Sequence, residues 1–535
     1  MGIFDKWKNK PSADKFKNKG YSESGASRTK KSLKAYLAQS GSVHEDIDYN
    51  NQLLRERGRD LFMSVPVARS AVNTIRTNVI GTGLQLRSSI NKEILGMTTE
   101  EAEAWQKKTE IEFSMWAENS RNCDATGMNN FYEMQQLALV SWLISGDCFA
   151  LVKNKKTSRL HPYSLRLHLV EADRCRTPLI GVFAQVTTAR LESGNLCFDG
   201  VEVDKDGLVV AYHFSNRHPH EYSVEQMPNG EKFVRVKACS QKTGLPNVIH
   251  MMSSERPDQY RGVTLLAPVI EQLKQIGRYT DAELTAAVVE SFFTAFVKTE
   301  ADPDAELYNM TDQDDGLDLG EYEYAMGPGQ MNYMKPGEDI VFADPKRPAG
   351  GFDGFVNSIC SQIGAALEIP VDLLLKQFNS SYSASRAALL EAWKSFKMRR
   401  QWMVDDFCKP VYEIWLSEAI ALGRIDAPGF FNDPLIHQAY LQADWIGPSQ
   451  GQLDPVKEVT AEILACSEGF STHEQSTTKL NGGQWDQNIE RLALEAEKLH
   501  GQAPDPHQSG GTETASHEDL KALALQAAMK GVNDS

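Results

Sequence analysis

The chain has 535 residues, 41% of them hydrophobic and 24% charged, and a formal charge of −16 from 56 Lys/Arg against 72 Asp/Glu. Such a composition suits a soluble chain of roughly two to four domains, or one large elongated subunit. It excludes a polycation that coats DNA over its whole surface, because that would need a surplus of Lys and Arg to neutralise phosphates. No apolar run reaches about eighteen residues, and the N-terminus lacks a signal-peptide core, so no membrane contact is expected.

Residues 1–45 are basic: within 1–40 there are ten Lys/Arg and three acids. Such a block reads as a disordered arm. A helix follows. Pro66 suits its first turn, Val67, Ala71, Val72, Ile75 and Val79 form an apolar stripe, and Gly81 suits the end. A strand is expected over Leu84–Ser88. Helices are expected over Thr99–Trp116, with Glu in its first turns, and over Phe131–Ile144, before a strand at Cys148–Val152. Residues 160–250 alternate and carry turn signals such as Asp206-Gly207, which predicts a β-rich region.

A long helix is predicted from about Thr264 to Val297. Its second half is apolar nearly all round, with Ala282, Leu284, Ala286, Ala287, Val288, Val289, Phe292, Phe293 and Phe296, so it must be buried against neighbours. Pro, Gly and Asp break the pattern at 298–351, which reads as a small β-containing insertion. Helix returns at Phe352–Leu367 and stops before Pro370. The longest helix starts with Ser383 as N-cap and runs to about Leu422. That is about forty residues, or about 60 Å, with a kink expected at Pro410. Two or three short helices fill 452–500, and 501–535 is tail-like, with one short helix at Glu518–Met529.

No motif points to catalysis. The dipeptide Gly-Lys is absent from the sequence, so there is no phosphate loop of the Walker type. His44, His220, His473 and His517 each precede Glu, but none has the second His of a zinc protease. The eight cysteines are scattered without metal-ligand spacing and read as reduced thiols. Asp312, Asp314, Asp318 and Glu323 have calcium-loop spacing, but Leu317 stands where the loop needs glycine, so a solvated acidic surface is the better reading. No catalytic residue, cofactor or metal is expected. Residues 300–323 hold ten acids and no Lys or Arg. That segment is either a solubilising loop or a docking surface for basic partners. Lys394, Lys397, Arg399 and Arg400 crowd one part of the long helix, as a solvated face with ion pairs or as a DNA contact.

Four segments together resemble one known family. They are NNQLLRERGRDLFMSVPVARSAVNTIRTNVIGTGLQL (50–86), QYRGVTLLAPVIEQLKQIGRYTDAEL (259–284), IPVDLLLKQFNSSYSASRAALLEAWKSFKMRR (369–400) and DWIGPSQGQLDPVKEVTAEI (444–463). In this order they resemble the portal proteins of tailed double-stranded DNA phages, lambda-type branch. The resemblance implies an α+β, mainly helical fold and a homo-oligomeric ring of about twelve subunits at a capsid vertex. It implies a wing over 46–260, a wing/stem helix over 261–297, a clip over 298–351 and a second stem helix over 352–367. A tunnel loop over 368–384, a long kinked wing helix over 385–425 and a crown over 426–500 complete the set.

The resemblance further implies passage of double-stranded DNA, with the terminase large subunit, a head-completion or adaptor protein, and major capsid and scaffold proteins as partners. The site residues it marks are Lys376, Asn379, Ser380, Ser381 and Tyr382 in the channel loop, and Ala286, Ala287, Val289 and Phe293 in the stem interface. Asp312, Asp314, Asp315 and Asp318 are marked for docking on the clip. The expected place is the virion vertex, reached from the host cytoplasm during assembly. Two other classes remain open at this stage: a shell or scaffold component that forms no channel, and a nucleic-acid motor enzyme.

Overall fold

The structure, a computed structural model, describes residues 25–27, 30–178, 187–219, 221, 232–291, 295–299, 338–342, 352–378, 381–450 and 455–500. A π turn at His44–Asp48 leads into α1 (Tyr49–Ser64) and then α2 (Pro66–Val79). Pro66 sits in the first turn of α2, where its missing N–H costs nothing, and Ala68, Ala71, Val72, Ile75 and Val79 are fully buried along one face. Gly81 follows in the left-handed region (φ 58°) and donates to Arg76 O at 3.1 Å.

Strand β1 (Gln85–Ser88), the short α3 (Lys92–Leu95), α4 (Thr99–Ala117), the short α5 (Ser120–Cys123) and α6 (Phe131–Ser145) come next. Helices α4 and α6 both open with reciprocal caps: Thr98 with Glu101, and Asn130 with Glu133.

The β-rich region forms two sheets. Strand β2 (Asp147–Asn154) lies between β3 (Leu165–Val170) and β9 (Val248–Met252), all antiparallel. Strands β4 (Thr188–Arg190), β5 (Leu196–Phe198), β6 (Val201–Val203), β7 (Val209–Ser215) and β8 (Phe233–Lys237) form an antiparallel meander. Between the sheets Phe149, Leu151, Val170, Val201, Tyr212 and Phe214 make a separate small core.

Helix α7 (Ile270–Ser291) is followed by β10 (Ala295–Thr299), which pairs antiparallel with β11 (Glu338–Phe342). Then come α8 (Phe352–Leu367), α9 (Val371–Leu375), α10 (Tyr382–Met403), a π turn (Val404–Cys408) and α11 (Lys409–Ala421). Helix α12 (Pro434–Leu441), β12 (Ala443–Ile446), α13 (Pro455–Ser467), α14 (His473–Asn481) and α15 (Trp485–His500) end the described chain. Strand β12 pairs antiparallel with β1, placing Trp445 opposite Leu86. The main core joins α2, α4, α6, α10 and α11. At its centre Phe113, Trp116, Phe131, Phe407, Tyr412, Trp415 and Trp445 meet with ring centroids mostly 5–6 Å apart.

Three expectations need correction. The helix predicted to Val297 ends at Ser291, and Ala295–Thr299 are a strand. Phe296 and Val297 are β-favouring residues, and they find cross-strand partners in Val341 and Ile340. The long helix starts at Tyr382 with Ser381, not Ser383, at the cap position, and no side-chain cap forms there. Its irregularity is the π turn ahead of Pro410, which lies in the first turn of α11. Proline offers no N–H to the carbonyl four residues back, so the turn before it widens.

Candidate functional site: stem pair, loop and interior charge

Among the described side chains of α7, the buried ones, Leu273 and Ile276, lie in its first part. From Gly277 onward none of its described side chains is buried; Ala286 is half-buried and Ala287 exposed, and Leu284 is 66% exposed. Helix α8 mirrors this. Phe352 to Ile359 are not buried, whereas Cys360, Ile363, Gly364 and Leu367 are. The projecting parts hold each other through Tyr279, whose ring lies 5.5 Å from Phe352 and 4.8 Å from Phe355. Two apolar helix segments therefore leave the subunit core as a pair. The side chain of Val289, and Phe293 as a whole, lie outside the described residues, as do Asp312, Asp314, Asp315 and Asp318.

The turn out of α8 is tight. Glu368 adopts φ 58°, and Ile369 N–H donates to Gly364 O at 2.8 Å. Gly364 permits this, since a Cβ there would meet Ile369 O at 2.4 Å. Helix α9 is then docked on α2: Ser70 Oγ donates to Leu374 O at 2.7 Å, and Lys376 Nζ donates to Thr74 Oγ1 at 2.8 Å. Lys376 is left-handed (φ 57°) and caps α9. Phe378 is 56% exposed and Ser381 is exposed. Asn379, Ser380 and the side chain of Tyr382 lie outside the described residues. Of the loop residues marked in the sequence, two are therefore placed: Lys376 against α2, and Ser381 at the head of α10.

The cluster at 394–400 divides into two kinds of residue. Lys394 pairs with Glu391 at 2.6 Å on the surface, and Lys397 is exposed. Arg399 turns inward to Glu368 Oε2 at 2.9 Å. Arg400 donates to Val79 O (2.9 Å), Asn78 O (2.8 Å) and Pro448 O (2.9 Å), offsetting the negative end of α2 and tying it to the segment after β12. Burial pulls the Arg400 pKa down to about 10. Neither arginine is available to DNA, which corrects that reading for both.

A family model described as phage portal protein, lambda family, matches residues 29–400, more than two-thirds of the sequence. The chain belongs to the lambda family of phage portal proteins. It is similar to portal protein B of Escherichia phage lambda, 23% identical over 442 residues and covering 79% of each chain. It is also similar to the portal protein of Escherichia phage N15, 22% identical over 449 residues, covering 79% of this chain and 80% of that one. Among solved structures, the neck of a native gene transfer agent particle aligns over 81% of this chain and 94% of its own, with a TM-score of 0.41 and 12% identity. No described helix is long and apolar enough to cross a membrane.

Within this portal-family chain, sequence reasoning missed the most highly charged interior. Arg261 is fully buried. Its guanidinium meets Asp147 Oδ2 at 2.8 Å and Asp199 Oδ2 at 2.7 Å, and donates to Cys175 O and Ala172 O. Arg55 joins the same carboxylates, at 3.5 Å from Asp147 and 2.8 Å from Asp199. Asp147 Oδ1 accepts from Gly262 N–H at 2.6 Å and from His250 Nε2 at 3.0 Å.

Burial pushes the Asp147 carboxyl up, but Arg261, His250 and Arg55 outweigh it and hold the group well below the usual carboxylate range. Burial also lowers the pKa of His250, against the pull of Asp147. This network joins α1, β2, β9 and the meander to the connection that leads into α7, so it clamps the β-rich part to the helical body. Its only local sign in the sequence is the Arg261-Gly262 step inside a family segment. Asp147 lies 114 residues from Arg261, and no spacing rule links them.

Proposed function

We propose that this portal-family chain is the subunit of a closed ring of about twelve copies at the capsid vertex, through which double-stranded DNA is packaged and ejected. The observation that carries the reading is the projecting pair made by the second half of α7 and the first half of α8. Leu284, Val288 and Phe355 are 66%, 48% and 48% exposed there. In a ring, each pair is covered by the neighbouring subunits, and water is displaced from that apolar surface.

In this reading α7 and α8 are the stem, with Ala286, Ala287, Val289 and Phe293 at the interface between subunits. The segment between the two helices is the clip, where Asp312, Asp314, Asp315 and Asp318 dock basic surfaces of the terminase large subunit and of a head-completion or adaptor protein. The loop 376–382 faces the DNA, and residues 426–500 form the crown. Major capsid and scaffold proteins surround the ring, which assembles in the host cytoplasm and stays in the virion. The role is structural, with no catalytic step and no cofactor.

Native mass spectrometry of the purified chain tests the ring. From a subunit of 59.6 kDa the expected species is about 715 kDa, with a central opening in micrographs viewed down its axis. Only monomers and dimers at micromolar concentration, together with no ring in capsids, would reject it.

A further inference from the structure

The connection between β2 and β3 concentrates positive charge that the channel reading leaves unused. Lys153 lies at the end of β2, and Lys155, Lys156 and Arg159 follow it, all exposed. Exposed Arg121 on α5 adjoins them, because its neighbour Asn122 hydrogen-bonds His161 at the hairpin tip. None of these five cations is paired with a carboxylate among the described residues. The carboxylates at the hairpin base are taken: Glu418 accepts from Ser164 and Leu165 N–H, at 2.5 and 3.0 Å, and Glu112 accepts from Tyr163 Oη at 2.7 Å and from Arg424. The tip is held in one shape. Ser158 and His161 exchange backbone hydrogen bonds of 2.9 and 3.0 Å, and Lys155 N–H donates to Ser164 O at 2.9 Å.

In a chain of net charge −16, unpaired cations gathered on a fixed turn need a reason. The overall negative charge does not prevent them from holding an anion. Acids more than about 10 Å away are screened at about 0.1 M salt, whereas direct cation–phosphate contacts release counterions. The chemistry around the cations favours phosphate over protein. Residues 153–162 contain Thr157 and Ser158 hydroxyls and no Phe, Tyr or Trp, and their one large exposed apolar side chain is Leu160, at 82%. Protein hot spots centre on buried aromatic and Arg anchors, whereas phosphate contacts use Lys, Arg, hydroxyls and backbone N–H groups.

We propose that this hairpin, through Lys153, Lys155, Lys156 and Arg159 with Arg121 beside it, binds the phosphate backbone of duplex DNA, as a contact built on residues other than the channel loop. The choice of DNA rests on the portal reading; the unpaired charge does not. A contact made to phosphates positions DNA without reading its sequence.

Covalently closed circular duplex DNA provides the test, since it cannot thread a closed ring and so reports surface contacts. The full chain is compared with the variant Lys153→Gln, Lys155→Gln, Lys156→Gln, Arg159→Gln. Basic residues before position 41 are common to both and cancel. Binding at about 50 mM salt is expected to weaken at least tenfold in the variant. The log–log salt slope should become shallower by about 3.6, at roughly 0.9 for each of four lost phosphates. A second variant, Lys153→Arg, Lys155→Arg, Lys156→Arg, keeps wild-type binding.

Unfolding midpoints and native masses are read alongside. If no ring forms but circular DNA still binds through the hairpin, the channel reading fails and this contact stands. Equal affinity and slope in the Gln variant would overturn the proposal. So would loss of poly-glutamate binding with DNA binding unchanged, which would assign the hairpin to an acidic protein.

Discussion

Arg261 is where one substitution should matter most. It is fully buried between Asp147 and Asp199, and removing it leaves two carboxylates facing each other without their main counter-charge. Breaking a buried pair in this way costs about 3–5 kcal/mol, a large part of a typical domain's stability. Arg261→Met is expected to lower the unfolding free energy read from urea denaturation by that amount. Arg261→Lys should recover little, because an ammonium cannot reach both carboxylates and the carbonyls of Ala172 and Cys175 together. Gly262→Ala belongs with them, since a Cβ there would lie 1.9 Å from Gly146 O.

Two buried carboxylates, Asp147 in this cluster and Glu202 on β6, fix the sign of the acid response. Asp147 is depressed, and Glu202 is brought down to about 2, where burial is outweighed by Arg235, Asn195 and His213. Groups with a depressed folded pKa stabilise above their unfolded pKa, near 4, and lose that contribution as pH falls through the folded value. Wild-type stability should therefore fall from about pH 4 towards 2. Arg261→Met should fall less steeply there, because its Asp147 loses the largest of the charges that hold it down. Urea midpoints measured across that range decide it.

Lys376 carries a different question. Its ammonium is held by Thr74, so Lys376→Glu changes a contact within the subunit and, in the proposed channel, the charge facing the duplex. Lys376→Met removes the contact but places no negative charge. The expected result is normal ring yield for both, with less DNA per capsid for Lys376→Glu than for Lys376→Met. Equal and unchanged DNA content would mean that this lysine does not face the duplex.

At the scale of elements, α7 and α8 hold the sharpest prediction. Ala287 is exposed and Ala286 half-buried in the single chain, so Asp at either position should leave the subunit folded. In a ring an unpaired carboxylate in that interface costs several kcal/mol unless it reaches water. Both variants should unfold like wild type yet give no ring by native mass spectrometry; rings from both would remove these residues from the interface. Tyr279→Ala tests the pair itself. It deletes the stacked contact with Phe352 and the edge-on contact with Phe355, worth about 0.5–1.5 kcal/mol each beyond area, and amide exchange should speed up in the projecting half of α7.

The same elements separate what local pattern reveals from what it does not. The apolar run to Val297 has the composition of a buried helix, and a helix it is up to Ser291. What turns Ala295–Thr299 into a strand is a partner about forty residues later in the sequence, Glu338–Phe342. Caps and punctuation were legible: Pro66 opens α2, Gly81 follows it, and Phe131 begins α6 as its pattern predicts. The cap of α10 was placed two residues late, at Ser383 instead of Ser381, because serines flank the start and pattern does not choose between them.

On the scale of the whole chain, β12 reaches back to β1, and Trp445 enters the aromatic core beside Phe113 and Tyr412. Arg400 is bonded to both the end of α2 and Pro448. By contrast, α13 to α15 leave Val456, Phe470 and Leu492 at 75%, 85% and 56% exposed. A chain ending at Gln450 should therefore fold with an almost unchanged melting temperature, while one ending at Gln442 should be insoluble or melt many degrees lower. Equal melting of the two would mean that the β1–β12 pair and Trp445 contribute little.

The sequence by itself determined the family, the helices with regular apolar stripes and clear caps, the β-rich middle, and the apolar character of the second half of α7. These are properties of short windows, or of segments in a fixed order, and the 3.6-residue and two-residue periods report them directly. Only the tertiary structure decided which charges lie inside. Arg399 and Arg400 look like Lys394 and Lys397 in the sequence, yet the first two are turned inward and the others stay in solvent. Arg55, Asp147, Asp199 and Arg261 are scattered along the chain and meet only because β2, the meander and the connection before α7 converge on α1. Burial and pairing depend on contacts between residues far apart in sequence, and no local period encodes them.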